Sequence, residues 1–327
     1  MRRPSSRRDV CRLFLAVVAG AAAAPRALAQ TRAGSGAASS SVRPVAGVAP
    51  ALSVTTLSDS LMGIGGGGGN VVLAVGPDSA LLVNGGHASR SAAVLEQVAK
   101  LAGGRSVRTL FNTDWHVEHT GSNEALGKAG ATIVAHEFTK QYLGTEMTLE
   151  WQGGTTYEPR APQALPTKTF YAKGSMTLGP ETIDYGHLGQ AHTDGDIYVF
   201  FRNANLLVAG DMLSLGQYPI ADYNSGGWLG GMVTASKTLL DMTRPDTRYV
   251  PGIGPVQTRA GMQAQYDMLS AMRDGMHKMM RQGMGAEDML TAGLTKDFDA
   301  AWGRPELFVS ASYRGMWLHI RELGGVV

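Results

Sequence analysis

The stretch from Val107 to Asn123 constrains this chain more than any other. Val107–Phe111 is an apolar run that reads as a buried strand, and Glu124–Ala129 reads as the first turns of a helix. Between them, Asp114, His116, Glu118 and His119 place four potential metal ligands within six residues of a strand-to-helix turn. Residues two apart at a strand end point the same way, so Asp114 and His116 are expected to grip one ion. Glu118 and His119, where the chain turns, are placed to serve a second. A lone histidine is most often structural. Two histidines among carboxylates at such a turn read instead as a metal site.

Further along, Gly189-Gln190-Ala191-His192-Thr193-Asp194-Gly195-Asp196 supplies another histidine, and Val208-Ala209-Gly210-Asp211 ends an apolar run on an aspartate. Pro251-Gly252-Ile253-Gly254-Pro255 follows. In this order, from about Leu52 to Thr258, the segments resemble the metallo-β-lactamase-fold hydrolases. The signature of that family is His-x-His-x-Asp-His, then a His, a bridging Asp and a final Pro-Gly-His-Gly-Pro. Here Asp114 stands for the first His, Glu118 for the Asp and Ile253 for the last His. Asn84, at the end of the apolar run Ala80–Val83, replaces an Asp that supports the metal loop, keeping the acceptor and losing the charge.

The resemblance implies an α/β fold, a four-layer αββα sandwich, here with an additional C-terminal helical tail. It also implies a divalent metal, zinc first, with manganese or iron acceptable to the same donors. In this reading Asp114, His116 and His192 hold one ion, Glu118 and His119 the other, and Asp211 bridges them. Glu118 is one methylene longer than Asp, roughly 1.5 Å, and Ile253 donates nothing. One tight ion with a second weak or absent is therefore expected. The implied chemistry is hydrolysis of a small ester, thioester, lactone, amide or related substrate by metal-bound hydroxide, with Asp211 orienting the nucleophile. The alternative is an exported, non-catalytic metal- or ligand-binding protein on an eroded hydrolase scaffold. Fold alone does not choose the substrate.

Residues 1–29 read as a signal peptide. Arg2, Arg3, Arg7, Arg8 and Arg12 precede the apolar run Leu13–Ala24, and Ala27-Leu28-Ala29 offers a small-x-small cleavage site. Ser6-Arg7-Arg8 suits twin-arginine export, while Val10-Cys11 departs from it and leaves Sec export open. The run is too short to span a bilayer, so no membrane anchor is expected after cleavage and the product is periplasmic or secreted. Removing the six Arg and one Asp of residues 1–29 from 29 Lys+Arg and 27 Asp+Glu leaves 23 against 26, a formal charge of −3. The basic balance thus belongs to the signal, and nothing points to nucleic acid. Cys11, the single cysteine, also lies there, so neither a disulfide nor a thiolate ligand is expected in the mature chain.

Residues 30–50 are Ser-, Ala- and Gly-rich and read as a flexible leader. The resemblance then implies a metallo-β-lactamase-like domain over residues 51–258, with 259–327 expected as a helical extension packed on it for stability or homodimerisation. Gly65–Gly69 reads as a mobile hairpin tip between the strands Leu52–Leu61 and Val71–Val75. A βαβα run through Leu143 predicts parallel strands with helices outside. Thr167–Tyr171, Ile183–His187, Ile197–Phe201 and Leu206–Ala209 read as an antiparallel series. Trp151, Tyr157, Tyr171, Tyr223 and Trp228 are candidates to line a substrate pocket. His136 and His187 read as non-ligands. Met268, Met272, Met276 and Met280 recur every four residues of a long helix and read as core filler rather than a copper site.

Overall fold

The computed structural model describes residues 51–320. The signal peptide and leader assigned to residues 1–50, and the last seven residues of the extension, lie outside the described residues.

The first half of the described chain builds one sheet with its helices. In order it runs β1 (Ser53–Thr56), β2 (Leu61–Gly65), β3 (Val71–Val75), β4 (Ala80–Val83), α1 (Ser91–Ala102) and β5 (Val107–Phe111). The chain continues through α2 (Val117–Thr120), α3 (Asn123–Lys128), β6 (Thr132–His136), α4 (Glu137–Leu143), the small hairpin of β7 (Met147–Leu149) and β8 (Thr155–Tyr157), and then β9 (Lys168–Phe170). The order in this seven-stranded sheet is β1-β2-β3-β4-β5-β6-β9. The strands from β4 to β9 pair in parallel, as the βαβα pattern requires.

The second half mirrors it. Its elements are β10 (Lys173–Leu178), β11 (Glu181–His187), β12 (Ile197–Phe201), β13 (Leu206–Gly210), α5 (Leu229–Asp241), β14 (Arg248–Pro251), β15 (Gln257–Thr258), α6 (Arg259–Met280), α7 (Ala286–Thr291), α8 (Asp299–Trp302) and α9 (Glu306–Leu318). Strands β10 to β15 form a six-stranded sheet in chain order, antiparallel except where β14 pairs in parallel with β13.

Burial separates the four layers. Val72, Val83, Phe111 and Val134 of the first sheet share a core with Ile183, Val199, Phe201, Val208 and Val250 of the second. The outer face of the first sheet packs on Val94 and Val98 of α1. The outer face of the second packs on α5, α6 and α9, where Met268, Met272, Met276 and Met280 are all buried. The methionine stripe is core, and the C-terminal helices complete the outer layer through Trp302, Phe308, Val309 and Met316. No described helix is long and apolar enough to cross a membrane.

Three expectations change. Leu52–Leu61 is not one strand: β1 ends at Thr56, a turn follows, and β2 begins at Leu61. Thr167–Tyr171 does not open the antiparallel series; β9 adds in parallel to β6, and β10 leads the second sheet. A three-residue strand carries too little periodicity to announce its partner. The glycine run, third, is a packed turn rather than a free tip. The His87 amide donates to the Gly67 carbonyl at 2.7 Å, and a Cβ at Gly69 would collide with the Glu118 carbonyl. Glycine is required there because this hairpin lies against the α2 backbone.

Candidate metal centre

The strands of both sheets deliver their ends to one place. β5 leads into the loop carrying Asp114 and His116 and into α2, which carries His119. His192 comes from the β11–β12 connection, Asp211 from the residue after β13 and Ile253 from the turn after β14. His119 is fully buried, and the Asp114, His116 and His192 side chains are no more than 5% exposed, whereas Asp211 is 18% exposed. Asp211 is therefore the carboxylate of this cluster that solvent reaches most easily.

Two groups of donor atoms meet at Asp211. His116, His192 and Asp211 form one, with Asp211 Oδ2 3.8 Å from His116 Nδ1 and 3.9 Å from His192 Nε2. Asp114, His119 and Asp211 form the other, with His119 Nε2 3.0 Å from Asp211 Oδ1 and 3.6 Å from Asp114 Oδ2. A third overlapping group joins Asp114 and His192 to Asp196. Five of the six residues singled out from sequence are thus brought together. Glu118 belongs to none of these groups, and Asp114 shares groups with His192 and with His119 but not with His116. Strand periodicity does not reach that far: β5 ends at Phe111, and Asp114 Oδ1 accepts the His116 backbone N–H at 2.9 Å, turning the chain between them.

Hydrogen bonds fix the first group from behind. His116 Nε2 donates to Asp222 Oδ2 at 3.1 Å, which turns Nδ1 toward Asp211. Asp222 is itself held by Ser225 Oγ at 2.6 Å, Trp151 Nε1 at 2.9 Å and the Asn224 amide at 3.1 Å. Asp196 accepts the amides of His192 and Thr193 at 2.6 and 3.0 Å and faces His192 Nδ1 at 3.4 Å, so Nε2 is left for the centre. Below Asp114, the Thr113 hydroxyl donates to Asp114 Oδ2 at 3.0 Å and accepts from Asn84 Nδ2 at 3.0 Å. Asn84 Oδ1 accepts the Thr113 amide at 2.9 Å, and Asn84 takes φ +65°, a left-handed conformation that asparagine tolerates. The acceptor expected of Asn84 is thus in use.

Sequence reasoning missed Asp222. It stands next to the pocket candidate Tyr223, but its tie to His116 spans 106 residues and leaves no local pattern. The aromatic candidates divide. Trp151 supports Asp222, and Tyr157 packs edge-on against Trp115. Trp228 is buried and stacks on His319 of the C-terminal region, while Tyr171 is 70% exposed beside His136. His187 stacks on His136 with ring centroids 3.7 Å apart and lies in no donor group.

The charges are strongly coupled to their burial. Burial by itself would lower the His119 imidazolium, but the Asp114 and Asp211 charges outweigh it and raise the group to about 10. His116 and His192 are likewise raised against burial, by Asp211 with Asp222 and by Asp196 respectively. Burial pushes the Asp114 carboxyl up. Asp211 goes the other way: the surrounding histidines overcome its burial and hold it well below the usual carboxylate range.

These residues fit a divalent cation. Both ring nitrogens of His119 are buried without a hydrogen-bond partner, and Nε2 faces two carboxylate oxygens. A bare imidazole nitrogen between carboxylates is costly unless a proton or a cation joins them. The donors are imidazoles and carboxylates, the ligands of zinc, manganese and iron sites. The Pro251–Pro255 turn also arrives as expected, since a Cβ at Gly252 would collide with Asp211 Oδ1. Ile253 itself is 52% exposed, so it does not wall the centre off from water as a buried side chain would.

An αββα sandwich whose strand ends converge on buried histidines and aspartates is the architecture of a metal-binding hydrolase fold. The chain belongs to the metallo-β-lactamase superfamily, whose family model matches residues 64–254. Among solved structures it resembles a metallo-β-lactamase from Pontibacter korlensis, at 16% identity and TM-score 0.55, over 67% of this chain and 99% of that one. It also resembles the DIM-1 metallo-β-lactamase exposed to ceftazidime, at 13% identity and TM-score 0.54, over 68% of this chain and 99% of that one. At such identities the likeness concerns the fold. No curated protein matches the chain in sequence.

Proposed function

We propose that this protein is an exported metal-dependent hydrolase acting on a small ester, thioester, lactone, amide or related substrate. One observation carries the reading: two buried donor groups share the two oxygens of Asp211, the cluster's most solvent-exposed carboxylate. A divalent ion, zinc first, supplies Lewis acidity and acidifies the water it binds. His116, His192, His119, Asp114 and Asp211 would hold it. The protein's own contribution is positioning. Asp222 and Asp196 set the ring orientation of His116 and His192. Asp211, depressed well below the ordinary range, stays ionised and can accept a hydrogen bond from the attacking water, fixing its direction. Superfamily membership supports hydrolysis as the class, and the site supports no single substrate over the others.

The experiment is a hydrolysis panel of esters, thioesters, lactones and β-lactams, run on metal-free protein and on protein reloaded with zinc, manganese or iron. Metal-dependent turnover, abolished by chelator and strongly reduced in Asp211→Asn at saturating metal, is the expected result. Tight metal binding without turnover across the panel would favour the metal-binding scaffold instead. The intact mass of the exported product tests cleavage after Ala29, and a membrane-retained species keeping residues 1–29 would refute it.

A further inference from the structure

The sequence pattern leaves a gap that the tertiary structure fills from an unexpected side. Ile253 occupies the place of a histidine and offers no donor, and Glu118 lies outside the donor groups. The second ion would then rest on His119 and a shared Asp211 alone. Yet Asp114, standing where the family pattern assigns a ligand to the first ion, has its Oδ2 3.6 Å from His119 Nε2 and groups with His119 and Asp211.

We propose that Asp114 is a ligand of the second ion and replaces the donor lost at Ile253, an inference that rests on the metal-binding reading above. Each ion then has three protein ligands. His116 Nδ1, His192 Nε2 and Asp211 Oδ2 serve the first; Asp114 Oδ2, His119 Nε2 and Asp211 Oδ1 serve the second. Three features support the assignment. His119 is fully buried, and its nitrogens lack hydrogen-bond partners. The Asp114 carboxylate is not free to swing toward His116: Oδ1 is engaged by the His116 amide at 2.9 Å, and Oδ2 is steadied by the Thr113 hydroxyl at 3.0 Å, itself anchored on Asn84. The first group needs no further residue to orient it, because Asp222 and Asp196 already do so.

The chemistry of the two sets then differs. Two imidazoles and one carboxylate favour zinc at the first position, whereas two carboxylates and one imidazole are harder and accept manganese more readily at the second. The centre is suited to hold two different ions.

The test counts ions. Metal-free mature protein and its variants are dialysed against zinc, and zinc per chain is measured by plasma mass spectrometry. Wild type is expected to hold two ions and Asp114→Ala one. Asp114→Ala with His119→Ala should still hold one, since both changes strike the same position. Asp114→Ala with His116→Ala should hold none. If the first pair holds none and the second holds one, Asp114 belongs to the first ion and the proposal is overturned. A single ion in wild type overturns it as well, while no ion in wild type refutes the metal-binding reading itself. Asp114→Asn preserves the side-chain shape and the acceptor for the His116 amide, and near-ultraviolet circular dichroism shows whether each variant folds. A folded Asp114→Asn that keeps two zinc ions at unchanged affinity would also overturn the assignment. For the metal preference, manganese added to protein carrying one zinc should lose its free-ion paramagnetic resonance signal in wild type and keep it in Asp114→Ala; equal loss in both would count against Asp114 as its ligand.

Discussion

Two sets of histidines end strands or follow them in this fold, and their acid–base character is opposite. His116, His119 and His192 sit among Asp114, Asp211, Asp222 and Asp196, and all three are raised above the ordinary imidazole value. His136, at the end of β6, stacks on His187 at 3.7 Å, where burial first and the neighbouring imidazole second lower it to about 4. Burial acts in the same direction on both sets. What differs is the count of carboxylates within reach, and that count decides whether a buried histidine carries a charge. Only the carboxylate-rich set is electrostatically ready to exchange a proton for a metal ion.

The contrast can be broken most forcefully at His136. Its folded-state value lies below the unfolded one of about 6.5. Stability is thus unaffected above that pH and lost as the pH falls from there toward about 4. The full loss is about 3 kcal/mol. In His136→Asn, which retains a side-chain acceptor for the Phe138 amide, the fall in melting temperature between pH 6.5 and 4 should shrink. An unchanged slope would show that His136 is not the group responsible.

Within the metal-ready set, the His116 half is braced and the His119 half is bare. Asp222→Asn removes the charge behind His116 and should weaken metal affinity at that position by about 10- to 100-fold, leaving the His119 position unchanged. Calorimetric titration separates the two, and equal weakening of both ions would erase the distinction between the halves. Proton release reports on the bare half. With His119 raised to about 10 in the metal-free protein, a metal must displace a proton at neutral pH, so affinity there should rise about tenfold per pH unit. Calorimetry in buffers of different ionisation enthalpy counts that proton, and a pH-independent affinity would contradict the assignment. The smallest effect is expected at Ile253. Ile253→His should raise affinity for the second ion by about 10-fold. Identical isotherms for wild type and variant would mean that the Ile253 side chain does not reach the centre.

How much of this was legible in the chain follows from how local each signal is. The strand-to-helix turn with Asp114, His116 and His119 is written within a few residues, and so are the ends of β13 and β14 at Asp211 and Ile253. An ordered series of such segments is enough to define the αββα fold, because each one records a strand end and a turn. The methionine stripe of α6 was equally readable, since a repeat of four on a helix marks one buried face. The side to which β9 adds was not readable, because three residues do not encode a pairing partner.

By itself, then, the amino-acid sequence determined the family, the order of the elements and the residue types gathered at the strand ends, since these depend on short-range periodicity and turn chemistry. Tertiary structure alone decided which donor faces which. Asp222 finds His116 across 106 residues, and Trp151 finds Asp222 across 71. Asp114 Oδ1 accepts the His116 amide while its Oδ2 lies 3.6 Å from His119 Nε2. Glu118, adjacent to His119 in sequence, stays outside the donor groups. Metal ligands must converge within a few ångströms at defined angles, and spacing along a chain does not fix a side chain's direction once the chain has left the strand.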